Sequence, residues 1–259
     1  MVTGILPIAL ENATKAMSVL MGLDKEYVGV MHLHKDFNEN LLKDAVLNFI
    51  GKIKQIPPVK SAVRRVERER IIYFFDIVEK EGKDVLFKVG CEAGTYVRKL
   101  CHDIGQFLKI GAHLTELRRT KVGNFLEEDS HGLIEVKDAY DFWKDDGDSS
   151  KLKKILIPVE HAIPHVKRIF VKDSAIEPVC NGSPLYIGGI TRIQEGIENE
   201  EVVSVFSLKE ELVAFGNSKM NSREMFDAKK GVAVKTDRVF MKKGIYPRWN
   251  EELPPPSTT

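Results

Sequence analysis

A strand that turns abruptly into a helix is the feature that most constrains the fold of this sequence. Val85, Phe87 and Val89 alternate with polar residues, which predicts a strand with one buried face. Gly94 then breaks the run, and Thr95 is placed to cap a helix that carries an apolar stripe. The stripe comprises Val97, Leu100, Cys101, Ile104 and Leu108. This spacing predicts a strand, a tight turn and a helix that is buried on one side.

Arg98 stands out because it lies in the first turn of that predicted helix. The positive end of the helix dipole disfavours a cation there by roughly 0.3–1 kcal/mol. Such a placement favours an anionic partner close by. From the residues alone, the partner is either a carboxylate in a structural ion pair or a phosphate.

Other periodic segments surround this stretch. Residues 71–78 predict a strand that pairs antiparallel with 85–89 through a loop containing Gly82. Residues 27–33 predict another strand, and residues 38–50 predict an amphipathic helix that ends at Gly51. His32 and His34 share one face of the strand at 27–33, so a metal pair is conceivable. Because no third ligand lies nearby in the sequence, we interpret both as surface histidines and predict no metal.

Positive charge is concentrated rather than abundant, since the formal net charge is only +1. Residues 52–70 and 229–243 each carry a clear excess of lysine and arginine, which favours contact with RNA, DNA or phosphate. A solvated basic surface is the alternative for either run. Pro57 and Pro58 exclude regular structure from residues 54–62. Their rigid loop is either a plain connection or a holder for a phosphate backbone, and its cations are Lys60, Arg64 and Arg65.

Cysteine usage and hydropathy indicate the compartment. Cys91, Cys101 and Cys180 lack C-x-x-C spacing, which is typical of a reducing cytosol without a disulfide framework or a zinc site. No apolar run approaches the roughly 18 residues of a membrane span. We therefore predict a cytoplasmic protein that does not contact a membrane.

The character of the sequence changes near residue 166. Short predicted strands follow at 169–172, 202–206, 212–215, 232–235 and 239–241, with glycine-rich turns between them. Such a series predicts a small β-barrel. We predict a first domain over residues 1–165, a second over 166–248 and a disordered tail over 249–259.

Six collinear motifs resemble the archaeal and eukaryotic dyskerin-type branch of the tRNA-uridine pseudouridine synthases, which carry a C-terminal PUA domain. The motifs occupy residues 2–7, 10–15, 25–27, 55–65, 94–105 and 114–119, and further matches lie at 171–175, 179–183, 188–190, 231–235 and 246–247. Without a long Lys/Glu-rich tail, the sequence is closer to the archaeal form. The resemblance implies an α+β fold: a mixed, largely antiparallel sheet with flanking helices, incomplete as a catalytic core, followed by a β-barrel PUA domain.

The resemblance also implies roles for individual residues and no cofactor. Tyr27 should stack on a uracil flipped out of its RNA, Leu117 should form a wall of the pocket, and Tyr96 should lie near it. Arg98 should pair with the catalytic aspartate and hold it ionised. Contacts with RNA should come from Lys60, Arg64, Arg65, Arg118, Arg119, Gly182, Gly189, Lys229, Lys230 and Lys235.

One departure from the family pattern is severe. The family's catalytic aspartate sits in a Gly-Thr-Leu-Asp-Pro motif directly before the segment that matches residues 2–4. Asp24, Asp36 and Asp103 do not stand in that context. We therefore expect the chain to be truncated at its N-terminus and, by itself, inactive. Smaller departures are Gly188, where the family usually has proline, and Glu210, where it usually has glycine.

The favoured interpretation is a synthase that isomerises uridines of rRNA or tRNA under the direction of an H/ACA guide RNA. Small accessory proteins, and a complementing N-terminal fragment, are the partners that this interpretation implies. The alternatives are a non-catalytic RNA-binding scaffold, a fragment of a stand-alone tRNA pseudouridine synthase, and a degraded gene product. Retention of Tyr27, Tyr96, Arg98 and Leu117 argues against a scaffold or a degraded product.

Overall fold

A computed structural model describes residues 2–58 and 64–246. Tertiary contacts divide the chain into two compact units. The first comprises the residues up to Ile8 together with Ser18–Leu156, and the second comprises Ala9–Met17 together with the residues from Ile157 onward. Within the described residues, no helix is both long enough and apolar enough to cross a membrane.

The first unit is built on a seven-stranded sheet in which β1 lies at one edge and β3 at the other, in the order β1-β6-β2-β5-β4-β3, with β7 beside β6. The strands are β1 (Val2–Gly4), β2 (Lys25–Leu33), β3 (Gly51–Gln55), β4 (Arg68–Glu81), β5 (Asp84–Cys91), β6 (Ala112–Val122) and β7 (Phe125–Leu126). Only the β1–β6 pair is parallel among these strands. The predicted mixed, largely antiparallel sheet is confirmed.

The first unit also contains helices, two of which contribute side chains to the apolar core of the sheet. They are α1 (Met17–Met21), α2 (Glu39–Leu47), α3 (Val97–Phe107), α4 (Leu133–Asp146) and α5 (Ser150–Ile155). The apolar stripe of α3 is fully buried at Leu100, Cys101 and Ile104, as its spacing predicts. It joins a core with Phe75 and Phe87, whose rings stack at 4.7 Å.

Three local predictions are wrong. Thr95 does not cap α3, because its hydroxyl donates to the carbonyl oxygen of Glu92 and Tyr96 precedes the helix. Helix α2 ends at Leu47 rather than residue 50. Residues 54 and 55 belong to β3, since the effect of the prolines begins only after this strand.

The second unit contains a six-stranded sheet in the order β10-β8-β11-β12-β13-β9. Its strands are β8 (Arg168–Val171), β9 (Leu185–Tyr186), β10 (Ile190–Ile193), β11 (Val202–Phe206), β12 (Leu212–Ser218) and β13 (Val232–Val239), and its helices are α6 (Val159–Ala162), α7 (Asp173–Cys180) and α8 (Ser222–Asp227). Buried Ile169, Val205 and Val213 belong to its own apolar core. The two strands predicted at 232–235 and 239–241 are one strand, and the predicted tail at 249–259 lies outside the described residues.

Candidate active site

Tyr27 lies on the central strand β2, between Val89 of β5 and Arg119 of β6. Its ring packs on the core that includes the first turn of α3, so it faces the helix side of the sheet. Burial, the larger cause, raises the pKa of the Tyr27 hydroxyl, while a hydrogen bond with the Arg119 side chain opposes this. The ring is thus held by its edge and remains partly exposed.

Leu117 occupies the neighbouring strand β6, opposite Gly29 of β2. It is only 9% exposed. A Cβ on Gly29 would lie 3.1 Å from Leu117 Cδ1 and 2.8 Å from Phe87 Cζ, so a larger residue at Gly29 would displace both side chains. Glycine at this position therefore gives Leu117 its room beside the strand that carries Tyr27.

Arg119 of β6 holds the residue that follows the edge strand β1. Its Nε and Nη2 donate to the carbonyl oxygen of Ile5 at 2.8 and 2.6 Å, and the Ile5 amide donates to the Arg119 carbonyl oxygen at 2.9 Å. Gly4, with φ +91°, lies so close that a Cβ would be 2.1 Å from the Arg119 carbonyl oxygen. Only glycine permits this approach, which places Ile5 beside Arg119, the residue of β6 that pairs with Tyr27 of β2.

Tyr96 stands between β5 and α3 and is fixed by Gln55 at the end of β3. The Tyr96 amide donates to Gln55 Oε1 at 2.9 Å, and Gln55 Nε2 donates to the Tyr96 carbonyl oxygen at 3.2 Å. Gln55 is only 2% exposed, so its carboxamide depends on these bonds for its hydrogen-bonding partners. The start of α3 is therefore tied to the strand that leads into the proline loop.

Arg98 lies in the first turn of α3 and is exposed. That turn contains no acidic residue, and no ion pair to Arg98 occurs within residues 2–58 and 64–246. Its neighbour Lys99 pairs instead with Asp103, at 2.6 Å. Of the two partners that the sequence allowed for Arg98, the carboxylate of a structural ion pair is therefore not found among the described residues.

Two cations, Lys25 and Arg119, lie near Tyr27, and the carboxylate of Asp24 lies close to Lys25. Lys25 donates to the carbonyl oxygens of Met21 and Leu23, and its pKa is lowered, first by burial and then by the nearby Arg119 cation. Electrostatic repulsion between neighbouring cations is relieved by an anion. Asp24 supplies part of this compensation for Lys25.

The basic residues predicted to contact RNA have different environments in the first unit. Lys60 lies outside the described residues, whereas Arg64 and Arg65 are exposed in a segment without regular structure. Arg118 pairs with Glu127 at 2.6 Å, and Arg119 holds Ile5 as described above. An RNA contact by any of these residues stays a prediction.

In the second unit, the predicted lysines Lys229, Lys230 and Lys235 are all exposed. Gly182 has φ +85° with open space around it, whereas Gly189 is packed, since a Cβ there would lie 2.8 Å from the Ala175 Cβ. The second unit also has a cleft of about 320 Å³ whose lining includes three lysines. The lining residues are Asn12, Lys15, Cys180, Val239, Phe240, Met241, Lys242 and Lys243.

Two residues, one in each unit, were not identified from the sequence. Gln55 was grouped with the proline loop, and its pairing with Tyr96 depends on a register that local patterns do not reveal. Phe226 is 83% exposed at the end of α8, shortly before Lys229 and Lys230. An aromatic residue next to a basic run was the available signal for a base-stacking surface.

The two units define the class of the protein: a sheet unit that presents aromatic, apolar and cationic side chains, joined in one chain to a second unit with exposed lysines, as in RNA-modifying proteins. Family models extend this class to a particular family. Residues 1–97 match the TruB family pseudouridylate synthase N-terminal domain, residues 98–164 match the tRNA pseudouridylate synthase B C-terminal domain, and residues 167–240 match the PUA domain. The chain belongs to the TruB family of pseudouridine synthases.

Close relatives and solved structures agree with this membership. A probable tRNA pseudouridine synthase B of Methanopyrus kandleri is 48% identical over 98% of this chain and 75% of its own length. The corresponding Methanocaldococcus jannaschii protein is 48% identical over 95% of this chain and 74% of its own length.

Among solved structures, a chain of a Cbf5–Nop10–Gar1 complex is 44% identical with a TM-score of 0.90, covering 95% of this chain and 75% of that one. A chain of an H/ACA RNP bound to a substrate RNA containing 2'-deoxyuridine is 42% identical, with a TM-score of 0.88 and the same coverages. The resemblance to pseudouridine synthases with a PUA domain, inferred from the motifs, is confirmed.

Proposed function

We propose that this chain forms the uridine pocket and RNA-binding surface of an RNA-guided pseudouridine synthase. The observation that carries the proposal is Arg98, a cation at a helix N-terminus that has no anionic partner among the described residues. A cation in that position is unfavourable unless an anion approaches it. The required anion is the carboxylate that attacks the nucleotide.

The pocket residues then have distinct tasks in the isomerisation. Tyr27 stacks on the flipped uracil, and its attachment to Arg119 fixes the plane of the ring. Leu117 closes the pocket beside it, while Tyr96, held by Gln55, sets the position of the first turn of α3. Arg98 keeps the carboxylate ionised until it is used. The glycosidic C1'–N1 bond breaks, a C1'–C5 bond forms, C5 loses its proton and N1 gains one.

The attacking carboxylate, on this proposal, comes from a segment outside these 259 residues. Asp24 accepts a hydrogen bond from the Tyr73 hydroxyl at 2.8 Å, and Asp103 pairs with Lys99. Asp36 lies near Lys83, at 3.9 Å. Each has a different partner, which supports assigning none of them to Arg98.

The similar proteins suggest the partners of this chain. One related chain was solved with Nop10 and Gar1, and another in an H/ACA RNP with substrate RNA. We propose that this chain likewise works with a guide RNA, an rRNA or tRNA target and small accessory proteins. The second unit would grip the guide through Lys229, Lys230 and the exposed Phe226. The three cysteines among the described residues are free, which supports a location in the reducing cytoplasm.

A tritium-release assay tests the proposal, because forming the bond to C5 expels the hydrogen at that carbon. The 259-residue chain is incubated with accessory proteins, guide RNA and target RNA labelled at C5 of uridine, with or without a segment bearing Gly-Thr-Leu-Asp-Pro. Release only in the presence of the segment is expected. Release by the chain without it contradicts the assignment of the carboxylate.

Two further outcomes separate the alternatives. If the segment binds the chain but no tritium is released, the chain is an RNA-binding scaffold rather than part of an enzyme. Affinity for an H/ACA guide is compared with affinity for a tRNA stem-loop at the same salt concentration. Tighter binding of the tRNA stem-loop contradicts guide-dependent action and favours stand-alone tRNA modification.

A further inference from the structure

Three histidines gather on the sheet face opposite Tyr27. Met31 and Leu33 of β2 point into the core, so the alternating His32 points to the other face. His32 is paired with His113 of β6 on one side and with Asp84 of β5 on the other. His34 follows directly after β2 and adds a third ring.

Two of the three ring spacings are close to those of imidazoles around a single ion, and the third is wider. Ring centres lie 5.1 Å apart for His34 and His113, 5.3 Å for His32 and His113, and 6.3 Å for His32 and His34. A tetrahedral zinc ion bound at about 2.1 Å by each ring nitrogen holds the ring centres about 5 Å apart.

Asp84 orients the first of these rings. His32 Nδ1 and Asp84 Oδ1 are 2.7 Å apart, so the carboxylate accepts the proton of that nitrogen. This hydrogen bond leaves the lone pair on Nε2. A carboxylate in this position is the usual support of a metal-ligating histidine.

The other two rings face each other through His34 Nε2 and His113 Nδ1, which are 2.9 Å apart. One of these nitrogens carries the shared proton. With the rings placed as they are, no group of three or more His, Cys, Asp or Glu side chains among the described residues could hold a metal ion. Transfer of that proton to the other nitrogen of the same ring would free both facing lone pairs. Gly111 lets His34 lie close to the backbone, because a Cβ at this position would be 2.7 Å from His34 Nδ1.

Acidic side chains make the neighbourhood attractive to a cation. A cleft of about 570 Å³ on this face is lined by His32, His113 and Asp84, and it also contains Glu79, Glu81 and Glu116. We propose that His32, His34 and His113 bind one borderline transition-metal dication, of which Zn²⁺ is the probe, with Asp84 as the orienting residue. The ion joins β2 to β6 and binds only the folded chain, so it stabilises the fold.

The test uses the full 259-residue chain, stripped with a chelator, dialysed and titrated calorimetrically with Zn²⁺. We expect one ion per chain and a melting temperature that rises with Zn²⁺. Co²⁺ at the same site should give the visible absorption of a tetrahedral complex. His113→Gln and His34→Gln should each weaken binding at least tenfold, and Asp84→Asn about 10- to 100-fold. His131→Gln, which alters an exposed histidine paired with Glu135, is the matched control.

Circular dichroism shows whether each variant is folded before it is titrated. Zn²⁺ affinity that is the same in His113→Gln and in the unaltered chain overturns the proposal. So does the absence of any binding by the folded chain. A loss of affinity in His131→Gln equal to that in His113→Gln would show binding without a defined site, and it also counts against the proposal.

Discussion

The carboxamide of Gln55 donates to the carbonyl oxygen of Tyr96 at 3.2 Å and accepts from its amide nitrogen at 2.9 Å. This pair links the end of β3 to the turn that starts α3. The link also fixes α3 in the absence of a side-chain cap at its N-terminus.

Replacing Gln55 with alanine should lower the free energy of unfolding by about 1–3 kcal/mol. The reason is that the amide and the carbonyl group of Tyr96, which are partly shielded from water, lose their hydrogen-bonding partner. Gln55→Glu should recover only part of this, since a carboxylate accepts from the amide but cannot donate to the carbonyl oxygen. Urea unfolding measures both changes. Gln106→Ala, at an exposed glutamine of α3, is the control, and an equal loss there would refute the role of the pair.

Gly29→Ala should destabilise the first unit and disturb the pocket. The new Cβ would lie 2.8 Å from Phe87 Cζ and 2.9 Å from the backbone oxygen of Glu116, which cannot move independently of β6. Overpacking of this kind costs about 1–3 kcal/mol. Gly22→Ala, where the nearest atom would be 3.7 Å away, is the control in thermal melts. Equal melting temperatures for the two variants would contradict the close packing around Leu117.

Glu211 should make the second unit less stable in acid. Hydrogen bonds, first from the Tyr246 hydroxyl and then from Ser207, hold the pKa of Glu211 below its ordinary 4.5. The unfolded chain therefore takes up this proton at a higher pH than the folded chain. Stability from this group is complete above the ordinary pKa and is lost as the pH falls through the lower folded value.

Melting temperatures recorded from about pH 6 down to pH 3 test this direction. Glu211→Gln should reduce the slope of melting temperature against pH at the acid end, whereas Glu210→Gln, at an exposed neighbour, should leave it unchanged. An identical slope for Glu211→Gln and the unaltered chain would show that the hydrogen bonds do not favour the ionised form.

Phe226→Ala should weaken RNA binding without reducing stability. The side chain is 83% exposed, so its removal costs the fold little, whereas stacking on a base is worth about 1–3 kcal/mol. Fluorescence titration with a guide RNA at fixed salt measures the change. Leu208→Ala removes another exposed apolar side chain of the same unit and should not alter affinity. Unchanged affinity in Phe226→Ala would remove this residue from the RNA-binding surface.

Local patterns were sufficient for the parts of the fold with regular periodicity. The alternation before Gly94 identified β5, and the stripe from Val97 to Ile104 identified the buried side of α3. Helix α7 was missed because Pro178 lies inside it and interrupts the usual helical signal. The cap at Thr95 was wrong because its hydroxyl bonds back to Glu92 instead of forward into α3.

Site residues could be predicted only where they belong to a family motif. Tyr27, Tyr96, Arg98 and Leu117 came from the family resemblance, and these assignments remain predictions. The histidine cluster could not be found from sequence, because His113 approaches His32 only through the register of β2 with β6. Spacing along the chain showed just two of its three rings.

Arg98 is proposed to pair with the catalytic carboxylate. The most direct test is the tritium-release rate of the complex assembled with Arg98→Gln. With the segment bearing Gly-Thr-Leu-Asp-Pro present, the rate should fall about 100-fold or more. The free energy of unfolding should stay the same or rise by up to about 1 kcal/mol, since an unfavourable cation leaves the helix N-terminus. Lys99→Gln, which breaks the pair with Asp103, should keep the rate. An unchanged rate in Arg98→Gln, or a rate that falls only in proportion to lost stability, would contradict the claim.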